Sequence, residues 1–185
     1  MRILAIAAVM LLTSSMAVAQ ALPAEAEAHI YGNVNGAVAV GTLTASVNIG
    51  TLTPGGELPG VAIAGFRIDA NVQDLDIQVC ATDLYKGDSP LSTYKIDLQK
   101  SEGATVSNPG GAFNPTGGAS NVLVFDSIPT GNLINGLPEF CTPAVEFSAG
   151  TNGTFSEDVD VEVTYASSDT ELPQGEYSGW IKIIV

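Results

Sequence analysis

Asp158-Val159-Asp160-Val161-Glu162-Val163-Thr164-Tyr165 alternates without a break, apolar at every odd position and polar at every even one. A period of two belongs to a β-strand, whose successive side chains point to opposite faces; here one face suits a core and the other suits water. The same alternation runs through Asp74-Leu75-Asp76-Ile77-Gln78-Val79 and through Tyr94-Lys95-Ile96-Asp97-Leu98. Segments 37–43, 45–50, 61–69, 121–126, 143–148 and 176–185 read as further strands, for a total of about nine. Turn chemistry separates them: Thr53-Pro54-Gly55-Gly56, Ser107-Asn108-Pro109-Gly110-Gly111 and Leu172-Pro173-Gln174-Gly175 are rich in strand breakers. With no amphipathic helix in view, the expectation is an all-β chain, a single antiparallel β-sandwich or jelly roll over residues 37–185.

The start of the chain reads differently. Met1-Arg2 is followed by an uncharged apolar run over 3–12 and by small residues ending Ala17-Val18-Ala19-Gln20-Ala21. That is the layout of a secretory signal peptide over 1–21, and the run is too short to span a bilayer, which takes about 20 residues. Removing it takes away Arg2, leaving five basic residues against twenty acidic ones. The five are Arg67, Lys86, Lys95, Lys100 and Lys182, and they are scattered. The charge argues against nucleic acid as a partner and disfavours anionic membrane surfaces, because both demand clustered cations. The expected location is extracellular, secreted or at the cell surface, with no membrane span after cleavage. Cys80 and Cys141 are the only cysteines, and in an exported chain a disulfide is the default. Cys80 falls on the outward phase of its strand, so the bridge is expected to staple the outside of the sandwich.

Little in the sequence can drive a reaction. The only histidine is His29, in a terminal segment unsuited to holding a triad base. One histidine and two distant cysteines do not make a zinc site. Asp74 with Asp76, and Asp158 with Asp160 and Glu162, are carboxylates two apart on alternating strands, spaced like a solvated face. No enzyme is expected. Asp69, Asn71, Asp74 and Asp76 gather oxygen ligands at a strand connection, which leaves two readings open: a calcium site or a bare acidic loop. Asp83 and Asp88 bracket a second such loop, and Asn152-Gly153-Thr154 is an N-glycosylation sequon. Residues 101–120 read as a long surface loop.

Residues 22–36 form a distinct segment. Ala24, Ala26, Ala28 and Ile30 alternate with Glu25, Glu27 and His29, followed by the joints Gly32-Asn33 and Asn35-Gly36. At the other end, 177–185 is apolar on both phases, Trp180 and Ile184 opposing Tyr177, Ile181 and Ile183. A strand apolar on both faces calls for cover on both, from a loop of its own chain or from a neighbouring subunit.

Gly41-Thr42-Leu43, then Ser46-Val47-Asn48-Ile49-Gly50-Thr51-Leu52-Thr53-Pro54-Gly55-Gly56 and the strands up to Val79, resemble the early mature region of TasA/camelysin-type proteins. These are exported β-sandwich subunits of bacterial biofilm fibres, with archaeal bundling-pilus relatives. The resemblance implies a homopolymer assembled by donor-strand exchange. Residues 22–30, through Ala24, Ala26, Ala28 and Ile30, would complete the sheet of a neighbour at 177–185, near Trp180 and Ile184. The alternative expectation is a monomeric adhesin-like or carbohydrate-binding sandwich.

Overall fold

A computed structural model describes residues 36–44, 46–52, 60–87, 89, 92–149, 154–167 and 169–185. Its strands in chain order are β1 (Val38–Thr42), β2 (Gly60–Ala70), β3 (Asp74–Thr82), β4 (Leu84–Lys86), β5 (Lys95–Leu98), β6 (Ala104–Ser107), β7 (Asn114–Pro115), β8 (Val122–Leu123), β9 (Leu133–Ile134), β10 (Leu137–Cys141), β11 (Val145–Ser148), β12 (Phe155–Ala166), β13 (Tyr177–Ser178) and β14 (Ile181–Ile184). Every pairing among them is antiparallel. The first sheet has the order β1-β2-β12-β5-β4-β13, with β6 and β8 continuing outward from β12. The second runs β7-β11-β3-β10-β9, with β14 on the other side of β3. The fold is thus the expected antiparallel sandwich, with about fourteen strands where the alternation suggested about nine.

The deciding stretch sits at its centre. β12 pairs with β2 from Phe155↔Ala70 to Tyr165↔Gly60. Val159, Val161, Val163 and Tyr165 face inward with Ala62, Ala64, Phe66 and Ile68, against Leu75, Ile77, Val79 and Ala81 of β3. Full burial of each larger side chain is worth about 1.5–3 kcal/mol. Phe113 stacks on Phe147 and meets Phe155 edge-on, both at centroid distances of 4.5 Å.

Three expectations are corrected. Residues 101–120 are not one surface loop: β6 lies between β12 and β8, and Phe113 is 4% exposed in the core. A four-residue strand and one isolated aromatic are too short to leave a periodic signal. Residues 46–50 are not a strand; instead Ile49 and Leu52 fold over Gly60, where a Cβ would come within 2.9 Å of either side chain. The last strand is broken into β13, which pairs with β4 in the first sheet, and β14, which pairs with β3 in the second. Between them Gly179 passes so close to the chain after β3 that a Cβ there would lie 2.7 Å from the carbonyl of Asp83.

Cys80 and Cys141 are directly opposed across β3 and β10 and form the disulfide, with Cα atoms 4.1 Å apart. The outward phase is as expected, but the bridge is not on the outside: Cys80 is fully buried and Cys141 nearly so. The connection over 127–138 folds back on β10, where Thr130 N–H donates to the Glu139 carbonyl and Glu139 N–H to the Asn132 carbonyl. Its turn at Asn135-Gly136, both with positive φ, closes the β9–β10 hairpin in the manner of a two-residue primed turn.

Candidate functional site

A sheet edge exposes unpaired backbone donors and acceptors, and proteins blunt such edges with short strands, Pro, bulges or free charges. Four terminal strands here follow that rule. β7, β8, β9 and β13 are two residues each, and β7 includes Pro115. The other two do not. β1 is five residues long, carries no charged side chain and pairs only with β2 among the described residues. Val38 and Val40 pair with Ala70 and Ile68, so they face the core side, yet they are 45% and 43% exposed. A cleft of about 420 Å³ opens beside them, lined by Val38, Ala39, Asp69, Ala70 and Phe155 among others.

β14 is the second open edge. It pairs with β3 from Ile181↔Ala81 to Ile184↔Gln78. Ile183 is buried inward, whereas Trp180 and Ile184, on the outer face, are 43% and 41% exposed. No described loop of the chain covers them. Lys182 is the only charge on this strand, and its ammonium is held 2.7 Å from Glu139 Oε2. It is thus tied to a buried carboxylate, with its side chain partly exposed. Glu139 is buried; burial raises its pKa, but hydrogen bonds from Lys182 and Thr130 prevail and hold the carboxyl below the ordinary glutamate value. On β3, β11 pairs with Asp74 to Ile77 along the edge that β10 also uses. The opposite edge of that stretch, continuing the line of β14, has no strand partner among the described residues.

The calcium quartet does not come together. β2 and β3 belong to different sheets, so the outward phase of each opens on a different surface of the sandwich. Asp69 lies on one, hydrogen-bonded by Ser156 and Arg67, which hold its pKa below the ordinary aspartate value. Asp74 and Asp76 lie exposed on the other. Asn71 Oδ1 accepts the Ala37 N–H at 2.5 Å. The row Asp158, Asp160, Glu162 runs along the outer face of β12, with Asp158 paired to Arg67 at 2.9 Å. Asp83 is not part of an exposed acidic loop: it is buried, with Lys95 Nζ at 2.7 Å, Lys100 Nζ at 3.6 Å and the Leu98 N–H at 2.9 Å. Burial lowers the pKa of Lys95, but Asp83 and Asp97 outweigh it and raise the pKa well above the ordinary lysine value. Residues Ala24, Ala26, Ala28, Ile30, His29, Asp88 and Asn152 lie outside the described residues.

Sequence reasoning missed Glu139 and Asp83 as buried charges, since neither sits in an alternating run. It did single out Trp180 and Ile184, whose phase is as read. Among the described residues no helix is long and apolar enough to cross a membrane. The disulfide is compatible with an extracellular setting. No family model matches the chain, and no curated protein matches it.

Proposed function

We propose that this protein is a structural subunit of an extracellular fibre, pilus or sheath, secreted and then assembled from copies of itself by strand addition at its open edges. The observation that carries the reading is the uneven treatment of the edges. Four are cut to two residues, while β1 presents an uncharged, partly apolar strand and β14 a partly apolar one whose single charge, Lys182, is paired with Glu139, in a chain of net charge −14. Strand addition draws affinity from backbone hydrogen bonds and register from alternate side chains. Residues 22–30 of a neighbouring copy are the proposed donor, through Ala24, Ala26, Ala28 and Ile30. The edge running from β14 along Asp74 to Ile77 of β3 is the proposed acceptor, with Trp180 and Ile184 beside it. The similarity of 41–79 to TasA/camelysin-type subunits points the same way. The protein acts in this reading through surface and edge and not as an enzyme.

Electron microscopy of the purified protein should show filaments. Deleting 22–31 should leave a folded, disulfide-bonded monomer; filaments that still form would defeat the donor assignment.

A further inference from the structure

Residues 103–125 contain none of the chain's twenty acidic or six basic side chains, and they build a cleft of about 360 Å³ beside β6 and β7. That is within the range of small-ligand sites, about 300–1,000 Å³. Phe113 supplies apolar lining, and Ser107, Asn108, Asn114, Ser120 and Asn121 supply polar lining. The frame is fixed before any ligand arrives. Asn108 Nδ2 donates to the Asp158 carbonyl at 2.8 Å and to Glu157 Oε2 at 3.1 Å, while its Oδ1 accepts the Ala112 N–H at 2.8 Å. Val106 N–H donates to the Asn121 carbonyl at 2.9 Å, and Ser120 Oγ accepts the Val122 N–H at 3.0 Å. The side-chain amides of Asn114 and Asn121, by contrast, are exposed and make no hydrogen bond to a described residue.

Chemistry selects the ligand class. Each free amide offers two donors and an accepting oxygen, and each serine hydroxyl does both. An anion meets the field of a strongly acidic chain and no cation here. A cation finds no carboxylate in the lining. An apolar ligand would strip water from amides and give nothing back. A neutral molecule dense in hydroxyls satisfies the lining, with the preformed loop lowering the entropy cost. We propose that this cleft binds a neutral glycan. The inference is independent of edge assembly, since it uses neither β1 nor β14.

Titration calorimetry of the secreted protein against neutral oligomers of glucose, of mannose and of N-acetylglucosamine tests it. At least one should bind saturably. Asn114→Ala/Asn121→Ala removes about two net hydrogen bonds, so binding should weaken roughly tenfold or more. Asn121→Asp, which keeps the shape but alters donors and charge, should weaken the same oligomer, and Trp180→Ala should leave it unchanged. The proposal is overturned by no saturable binding of any of the three, by a double variant that binds like the parent, or by loss of binding in Trp180→Ala.

Discussion

The guarded and the open edges of this sandwich differ in how the chain finishes them. At the guarded edges the chain uses few residues for pairing and many for cover: β9 turns straight into β10, and the 127–138 connection folds back on Glu139. At the open edges it leaves longer strands whose side chains make no such closure. β1 faces its valines toward the core side with nothing described above them, and β14 commits its one ammonium to Glu139. A protein selected only against aggregation would place a free Lys or a Pro on such strands. On the proposed reading, two edges are kept available for strand addition and the others are closed. Stability and assembly should therefore separate by mutation.

The largest stability effect should come from the tie that closes the guarded cover. The disulfide encloses a separation of 61 residues, for which the chain-entropy model gives about 4 kcal/mol. Cys80→Ala/Cys141→Ala should lower the thermal midpoint by roughly 10 °C in calorimetry. A loss under about 1 kcal/mol would mean that β10 holds its place on β3 without the bridge. Next comes Phe113→Ala. This side chain joins the 103–125 region to Phe147 and Phe155, so its truncation should cost about 3 kcal/mol in denaturant unfolding. A neutral result would return that region to the surface loop that its composition suggested.

Glu139→Gln is smaller and depends on pH. The native pair keeps this buried carboxyl ionised beside Lys182, and removing its charge should cost about 2 kcal/mol at neutral pH, discounted because Lys182 is partly exposed. The sign follows from the lowered folded pKa. The contribution is present above the ordinary glutamate range, about 4.3, and is lost as pH falls through the lower folded value. Parent and variant melting curves should therefore converge in acid; a constant gap down to the lowest accessible pH would assign the cost to packing.

What the sequence made legible was what repeats. The alternation at 158–165 and at 74–79 led to β12 and β3, the central strand of each sheet, and to which residues face the core. The phase of Trp180 and Ile184 was readable for the same reason. Pairings that cross the sandwich left no local trace. Asp69 and Asp74 are five residues apart yet lie on different sheets, because the connection between β2 and β3 crosses from one to the other. Proximity in sequence thus suggested a calcium site that the topology takes apart. Gly179 and Gly60 were unreadable as close-approach positions, since the partners that forbid a Cβ are set by tertiary packing. Asp83 looked like a loop carboxylate because Lys95 and Lys100, which hold it, arrive from another strand and the turn after it.

The smallest effect on stability is the sharpest test of the contrast. Val40→Lys and Ile184→Lys place one charge on each open edge, at half-exposed positions whose substitution should change unfolding free energy by no more than about 0.5 kcal/mol. A free lysine on an edge strand opposes pairing with a second chain, because docking would have to desolvate its ammonium. Each variant should melt with the parent. The double variant should sediment as a monomer under conditions where the parent polymerises. If it still polymerises, the open edges are incidental and contacts between copies must run through the faces of the sandwich. If only Ile184→Lys blocks assembly, the acceptor is the line from β14 to β3, and the exposed valines of β1 follow from its place at the rim. An isolated charge on a strand that no second chain meets has no reason to change the state of assembly, whereas a charge on a strand that must pair cannot be ignored.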